Sequence, residues 1–321
     1  MRILTYDELS PRMRFERKLV NIAAFGGVFT DREVDVVRKR WKCSSEYVAV
    51  FAVEKDRVLG HVFVLRVPYT FEDGVETIGC IATVGTRPDV RRSGIARASL
   101  ENVFQREEEA GVRFTALWTN RSWGAHALYE KLGYRDVYSS PWVLHEPKSR
   151  RGPHRPGRGI RPGRKSDLAE IDELHEERAL GRIGFCHRPR GFSRGSADLG
   201  FLDAEKNLLV AREGGELVGY AHIDRNPYRT ICGELVARST RTVRALCAEI
   251  DRRSGEVPVA YQHTWVTDHA PLFASRQYTR IPVGWYGMLA QAVGRKWGQR
   301  EAARKFATDD PKFLCLAGDR F

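Results

Sequence analysis

The feature that most constrains this chain is a strand–turn–strand pattern that occurs twice in its 321 residues. The segment FAVEKDRVLGHVFV at 51–64 aligns without gaps with VAREGGELVGYAHI at 210–223. In both segments apolar residues alternate around a charged turn, which predicts a β-hairpin. A second pair, LYEKLGY at 128–134 and LFASRQY at 272–278, follows in the same relative order. Two matches in one order indicate a duplicated domain, and the length suits two domains of about 150 residues each.

A basic segment rich in proline and glycine separates the two copies. Residues 145–166 hold 8 Lys or Arg against 1 Asp or Glu, so they carry +7 of the total net charge of +12. Such a composition cannot bury enough apolar surface to fold alone. We therefore predict domains at 1–144 and 159–321 joined by a linker at 145–158. A tether for nucleic acid or an acidic partner is the alternative, but the nearly neutral flanks argue against a dedicated nucleic-acid binder.

The remaining composition predicts a cytoplasmic protein without a metal site. The longest apolar run, YVAVFAV at 47–53, is far shorter than the roughly 20 residues of a membrane span, and the start lacks the apolar core of a signal peptide. The cysteines form no CxxC pair, so neither a disulfide framework nor a zinc site is expected. They are scattered at Cys43, Cys80, Cys186, Cys232, Cys247 and Cys315.

Hydrophobic periodicity in the first half predicts helices, a hairpin, and then alternating strands and helices. This order predicts a mixed α/β layer in which helices cover a sheet. The predicted elements are helices at 5–24 and 31–42, a hairpin at 47–65, a strand at 76–86, a helix from 94 to 111, a strand at 113–119, a helix at 122–132 and a strand from 133 to about 142.

The stretch RPDVRRSGIARASL at 87–100 places positive charge and a glycine at a strand-to-helix turn. Free N–H groups at a helix start and the helix dipole attract anions. Gly94 and the small Ala96 allow close approach of a phosphate, and Arg91 and Arg92 add charge that can pair with its oxygens. The G-x-G-x-x-G pattern of nicotinamide sites is absent from this stretch. Two interpretations are left open: a site for a pyrophosphate group, or a helix start that is merely charged.

Two motifs in the first half resemble the GNAT superfamily of acyl-CoA-dependent N-acyltransferases. The pattern R/Q-x-x-G-x-G/A is matched by Arg91 to Ala96, and the resemblance covers residues 1 to about 144. It implies an α/β (α+β) fold of two tandem GNAT-like domains, each a mixed, mostly antiparallel twisted sheet flanked by helices. The second motif, A-x-x-L-Y-x-K-x-G-F, is matched by Ala125, Leu128, Tyr129, Lys131, Gly133 and Tyr134.

The resemblance also implies acetyl-CoA as cosubstrate, an amine acceptor, and roles for particular residues. Backbone groups of Val84, Gly85 and Thr86 would hold the pantetheine arm and the acetyl carbonyl. Asn120 would supply an amide contact, and Tyr129 would act as the general acid that protonates the departing thiolate. The backbone N–H groups expected to hold the pyrophosphate are those of Arg91, Arg92, Ser93, Gly94, Ile95 and Ala96.

The base that takes the proton of the incoming amine has several candidates. Glu76 begins the strand that leads to the cofactor, and His61 and His126 are near it in sequence. The tandem arrangement is also similar to the enhanced-intracellular-survival family, in which the C-terminal carboxylate serves as base. That similarity implies the carboxylate of Phe321, although this chain lacks room for the family's full third domain.

The second copy lacks the residues to which the resemblance assigns chemistry. Phe273 stands where the first copy has Tyr129, Gln277 stands where it has Gly133, and nothing replaces Gly94. We therefore expect a catalytic first domain and a degenerate second one. A mycothiol-synthase-like enzyme, and a non-enzymatic module that senses CoA or is tethered to nucleic acid, are the alternatives. A homo-oligomer is compatible with the sequence.

Overall fold

The computed structural model describes most of the chain as two compact units, each built on a seven-stranded sheet. The first unit is drawn from residues 1–138 and 286–308, and the second from residues 139–285 and 309–320. The described residues are 1–27, 30, 48–140, 142–147, 159–198, 200, 202–262, 270–274, 278–281, 286–310 and 312–314.

The sheet of the first unit has the strand order β1-β2-β3-β4-β5-β14-β6, and helices flank it. Its strands are β1 (Arg2–Thr5), β2 (Val48–Glu54), β3 (Arg57–Phe71), β4 (Gly74–Thr86), β5 (Phe114–Asn120), β6 (Arg135–Ser139) and β14 (Tyr286–Ala292), and its described helices are α1 (Pro11–Phe25), α2 (Ile95–Glu109), α3 (Gly124–Lys131) and α9 (Gln299–Phe306).

The sheet of the second unit has the order β13-β7-β12-β11-β10-β9-β8. Its strands are β7 (Trp142–His145), β8 (Ile160–Pro162), β9 (Leu208–Glu213), β10 (Glu216–Asn226), β11 (Arg229–Ala237), β12 (Val259–Gln262) and β13 (Tyr278–Ile281), and its described helices are α4 (Leu168–Ala179), α5 (Phe192–Asp198), α6 (Ala204–Asn207), α7 (Thr240–Ser254) and α8 (Ala270–Phe273).

The predicted fold class, two mixed sheets that are each flanked by helices, is confirmed. Among the registered pairs of described strands, only β4 with β5 and β11 with β12 run parallel. Both hairpins of the repeat are present, as β2–β3 and β9–β10, and each continues into a third antiparallel strand. The hairpin strands are buried on both faces: in β2, Val50 belongs to one core cluster and Phe51 and Val53 belong to another, because successive side chains point to opposite faces of the sheet.

Each sheet contains one strand from a distant part of the chain. Strand β14 pairs antiparallel with β5, from Tyr286 opposite Asn120 to Ala292 opposite Phe114. Strand β7 pairs antiparallel with β12 and β13 in the second sheet.

The structural units therefore do not follow the predicted division at residue 144. The strand expected to run to about residue 142 ends at Ser139, and β7 belongs to the second sheet. Apolar alternation identifies a strand but not the sheet in which it pairs, so the sequence could not reveal this. Most of the predicted linker, from residue 148 to 158, and the predicted helix at 31–42 lie outside the described residues.

Candidate active site

An opening between β4 and β5 lies in the middle of the first sheet. The two strands pair in parallel at two positions, the second being Cys80 opposite Ala116. Beyond it, β4 runs six residues further to Thr86 and β5 four residues further to Asn120, without pairing to each other along this fully described stretch. The facing backbone N–H and C=O groups of the two strands are therefore available to a ligand, since polar backbone groups require partners.

A bulge in β4 adjoins this opening. The register with β3 shifts between Val62, which lies opposite Val84, and Val64, which lies opposite Ile81. Two residues of β4 thus face one residue of β3. A bulge of this kind re-aims the backbone and is over-represented beside active sites.

The loop from β4 to α2 has the geometry of an anion site. After a short 3₁₀ turn, residues 91–94 are exposed, and the Ser93 hydroxyl donates to the Val90 carbonyl at 2.6 Å. Arg92 and Gly94 both have left-handed backbone, with φ of 65° and 84°. Alternating left-handed residues turn successive N–H groups toward one point, which forms an anion-binding nest.

The start of α2 continues that nest. No side chain caps the helix, so its first N–H groups remain free to bind an anion, and the helix dipole adds to the attraction. Ile95 is buried and anchors the turn, and a Cβ at Gly94 would meet no protein atom within 4 Å. Glycine is therefore favoured at 94 by its positive φ, and the space above it is open to a ligand.

Tyr129 lies in the core beside the opening. On α3, it packs in one cluster with Ile81 of β4, Leu117 of β5 and Leu289 of β14, and Val84 is packed against the same cluster. Its side chain is 7 % exposed, and burial raises the pKa of Tyr129 to about 12. The phenol therefore stays protonated at neutral pH, as a general acid must.

Glu76 lies near the start of β4, eight residues before Val84, which is a separation of roughly 25 Å along a strand. Its carboxylate accepts hydrogen bonds from Arg113 Nε at 3.0 Å and from Lys305 Nζ at 2.9 Å. Partial burial acts to raise the pKa of Glu76, but these two cations outweigh it and hold the pKa below its usual value.

Asn120 is the last residue of β5, at the end of the unpaired stretch that faces β4. Its Oδ1 accepts hydrogen bonds from the backbone N–H of Ser122 at 2.9 Å and from the Ser122 hydroxyl at 2.8 Å. The side-chain oxygen is therefore used to fix the turn into α3. A contact from Asn120 to a cofactor would come from its amide nitrogen.

The two candidate histidines have different surroundings. His61 is 1 % exposed and stacks on Phe63 with ring centroids 4.7 Å apart. It lies opposite Gly85, where a Cβ would come within 2.9 Å of its ring. Burial, aided by the charge of Arg17, lowers the pKa of His61 to about 3. The imidazole is therefore a neutral core group.

His126 belongs to a half-exposed polar cluster on α3 and β6. Its ring nitrogens lie 3.5 Å from Glu130 and 3.3 Å from Asp136, and Arg121 Nε donates to Asp136 at 3.2 Å. This is the one group of three potential metal ligands found within the described part of the chain. The guanidinium of Arg121 already donates to the Asp136 carboxylate, so we interpret the group as a polar network within the protein rather than as a metal site.

The corresponding parts of the second unit are built differently. Strand β11 ends at Ala237 and α7 begins at Thr240, which leaves two residues where the first unit has eight. The Ser239 hydroxyl accepts from Thr242 N–H at 3.2 Å and so caps the helix start itself. Phe273 is a core residue against Tyr261.

Sequence reasoning missed Leu289, which belongs to the same core cluster as Tyr129 although it lies 160 positions further along the chain. The alternating segment around Leu289 predicts a strand, but nothing in that segment indicates that the strand pairs in the first sheet. Phe321 lies outside the described residues, so its predicted role is untested by the geometry. No helix among the described residues is long and apolar enough to cross a membrane.

Comparison with known proteins agrees with this geometry. Residues 45–136 match the family model of the acetyltransferase (GNAT) domain. No curated protein sequence matches the chain.

Several solved structures share the fold over most of both chains. A conserved protein of unknown function from Enterococcus faecalis V583, described as a probable N-acyltransferase, has a TM-score of 0.66 at 16 % identity, over 91 % of this chain and 72 % of its own. The GCN5-related N-acetyltransferase from Anabaena variabilis ATCC 29413 has a TM-score of 0.66 at 16 % identity, with coverages of 91 % and 73 %. Eis1 from Mycobacterium abscessus has a TM-score of 0.60 at 17 % identity, with coverages of 92 % and 74 %. Residues 45–136 therefore match the acetyltransferase (GNAT) domain, and the chain shares its fold with these solved structures.

Proposed function

We propose that this chain is an acetyl-CoA-dependent N-acetyltransferase that transfers an acetyl group to a primary amine in its first unit. The observation that carries the proposal is the opening between β4 and β5, with an uncapped helix start and an anion-binding nest after β4 and a buried tyrosine beside it. These features provide places for a thioester arm, a pyrophosphate and a proton donor in one sheet.

The residues of the first unit fit coenzyme A. The N–H groups from Arg92 to Ala96 would hold the pyrophosphate, because the left-handed residues Arg92 and Gly94 and the uncapped helix start leave them open to an anion. The N–H of Arg91, which was also expected there, donates to the Pro88 carbonyl at 3.4 Å. Backbone groups of Val84, Gly85 and Thr86 would pair with the pantetheine arm in the way a neighbouring strand pairs. When bound, acetyl-CoA supplies an acetyl group activated as a thioester.

Direct attack by the amine needs one acid and one base. The amine nitrogen forms a bond to the acetyl carbon, the carbon–sulfur bond breaks, and its electron pair leaves on sulfur. Tyr129 gives its proton to that sulfur, and a base takes the proton that the nitrogen loses. A phenol with a pKa of about 12 remains protonated until the thiolate forms.

For the base we retain the carboxylate of Phe321, which the likeness to the enhanced-intracellular-survival family implies. Glu76 fits the role less well, since two cations hold its carboxylate at the other end of β4. The rate of acetyl transfer should rise with pH as the base loses its proton. Deleting Phe321 should abolish that rise, whereas Glu76→Gln should preserve it. Full activity of the deletion variant would exclude the terminal carboxylate.

We infer that the second unit binds no acetyl-CoA at the corresponding place. The two-residue turn before α7 provides no nest, and Ser239 already satisfies an N–H group at the helix start. Phe273 also lacks the hydroxyl of Tyr129.

The test is thiol release from acetyl-CoA with a set of amines: a polyamine, an aminoglycoside and a lysine peptide. Tyr129→Phe should lower kcat by about 100-fold or more, the usual effect of losing a general acid. Tyr134→Phe is the matched control, because Tyr134 lies in the same cluster and its hydroxyl instead bonds Thr115 at 2.9 Å. Binding of CoA without turnover of any amine would favour a sensor, and equal rates for Tyr129→Phe and wild type would remove Tyr129 from the mechanism.

A further inference from the structure

Three polar side chains beside the opening between β4 and β5 have buried hydrogen-bonding atoms that no group satisfies within the part of the chain that the structure describes. These atoms are the Thr83 Oγ1 on β4, both ring nitrogens of His61 on β3, and the Asn21 Nδ2 on α1. His61 and Asn21 are buried as whole residues, with exposed fractions of 1 % and 3 %. Because the great majority of buried polar groups in proteins have a partner, these three mark a place where a polar ligand can supply one.

Strand geometry places Thr83 and His61 on the same face of the first sheet. Thr83 and Gly85 are two residues apart on β4, so their side-chain positions lie on one face. Gly85 lies opposite His61, and a Cβ at Gly85 would come within 2.9 Å of the His61 ring and 3.0 Å of Val20 on α1. The Thr83 side chain and the His61 ring are therefore both on the side of the sheet against which α1 packs.

Helix α1 brings Asn21 to the same place. Arg17, Asn21 and Phe25 are spaced four residues apart, so they share one face of the helix. The Phe25 ring lies 6.3 Å from the His61 ring, and the charge of Arg17 acts on His61. Asn21 lies between these two residues on the helix and therefore faces the same region. We call Thr83, His61 and Asn21 the polar row.

The polar row and Tyr129 lie on opposite faces of the sheet. Tyr129 packs in a cluster that Val84 adjoins, and the side chain of Val84 points to the face opposite that of Gly85. In the proposed function, Tyr129 protonates the departing sulfur from its own face, while Val84 and Gly85 hold the thioester between the strands. The entering nitrogen and the departing sulfur occupy different sides of the acetyl carbon, so the face of the polar row is left for the amine.

We propose that the polar row binds the nitrogen of the acceptor amine and directs it at the acetyl carbon, an inference that rests on the proposed function. A neutral imidazole has one acceptor nitrogen and a hydroxyl oxygen also accepts, so His61 and Thr83 can each accept one N–H of an amine. The site disfavours a cation, because it is buried and the positive charge of Arg17 acts on it. The amine is therefore held uncharged, with the lone pair that attacks the carbonyl. Asn21 adds an N–H donor for an oxygen of the acceptor.

The first test measures steady-state kinetics with whichever of the polyamine, the aminoglycoside and the lysine peptide the wild type acetylates fastest. Thr83→Val removes the hydroxyl at nearly constant volume and should raise the KM for the amine about 3- to 10-fold, the effect of losing one hydrogen bond. His61→Phe keeps a ring in place but removes both nitrogens, and it should raise the same KM. In both variants the dissociation constant for CoA, measured by calorimetry, should stay that of wild type.

Two further variants separate a contact with the amine from a change of structure. Thr83→Ser restores the hydroxyl and should return the KM for the amine to nearly the wild-type value. Thr115→Val is the matched control, because Thr115 of β5 is also buried but bonds Tyr134 on the face of Tyr129, and it should leave that KM unchanged. Circular dichroism shows whether each variant folds. An amine KM that is unchanged in both Thr83→Val and His61→Phe would overturn the inference and leave the proposed function in place.

The second test does not depend on turnover. In protein with nitrogen-15-labelled histidine and saturating CoA, the ring signals of His61 are those that His61→Phe lacks. They should move when the acceptor amine is added, because a ring nitrogen then accepts a hydrogen bond. Signals that stay in place with all three amines, in protein that binds CoA, would overturn the inference, whereas a protein that binds no CoA would overturn the proposed function itself.

Discussion

Acidification should destabilise the first unit through His61. Its ring is buried against Phe63 and Gly85, and its pKa is about 3 in the folded protein, against 6.5 in an unfolded chain. The unfolded chain therefore binds a proton that the folded one does not. The stabilisation is complete above pH 6.5 and is lost as the pH falls toward 3. At 1.36 kcal/mol per pKa unit, the free energy of unfolding should fall by about 2 kcal/mol between pH 8 and pH 5 from this residue alone.

The assay is urea-induced unfolding of wild type and His61→Gln at pH 8 and at pH 5. Other groups titrate equally in both proteins, so the difference between their free energies of unfolding isolates His61. That difference should shift by about 2 kcal/mol in favour of the variant on going from pH 8 to pH 5. A difference that is the same at both pH values would refute the reasoning, and His61→Phe provides a second neutral side chain if glutamine packs poorly.

Three further predictions concern the structure around the site. A chain truncated after His145 lacks β14 and should fail to form a folded first unit; a cooperative unfolding transition and dispersed amide NMR signals would contradict this. Glu107→Ala should lower the free energy of unfolding by about 3–5 kcal/mol, the usual cost of breaking a buried ion pair, because Arg66 would lose the carboxylate to which it now donates at 3.1–3.2 Å; a urea midpoint near that of wild type would argue against it. Gly94→Ala should cost about 1–2 kcal/mol at its left-handed backbone and weaken binding of CoA in calorimetry, whereas an unchanged affinity would remove the loop from the cofactor site.

Local signals in the sequence placed most elements of the first half. The predicted strand at 76–86 is observed at Gly74–Thr86, and the predicted helix from 94 to 111 is observed at Ile95–Glu109. Each prediction depends on residues that act within one element, such as the alternation that faces a core. The predicted start of the first helix at residue 5 was too early, because Ser10 caps α1, with its hydroxyl accepting from Met13 N–H at 3.3 Å.

Pairings between distant segments could not be predicted. Nothing in the sequence around Leu289 indicates that it joins the core cluster of Tyr129, since a strand has no local preference for one sheet over another. The same limit applies to Glu76. The sequence shows a carboxylate at the start of a strand, which suggests a base, but it does not show that Arg113 and Lys305 bind that carboxylate. The proposed cofactor loop could be singled out because the residues that suggest it, 91–96, are consecutive.

The placement of β14 has a consequence for synthesis on the ribosome. When residues 1–140 have emerged, the edge of β5 that faces β14 has no neighbour, because β14 begins only at residue 286. The first unit therefore cannot complete its sheet when its leading segment has been made, as an ordinary leading domain does. Until residue 292 has left the exit tunnel, the nascent chain exposes a strand edge that can pair wrongly with another polypeptide, so we expect chaperone binding to persist until β14 has emerged.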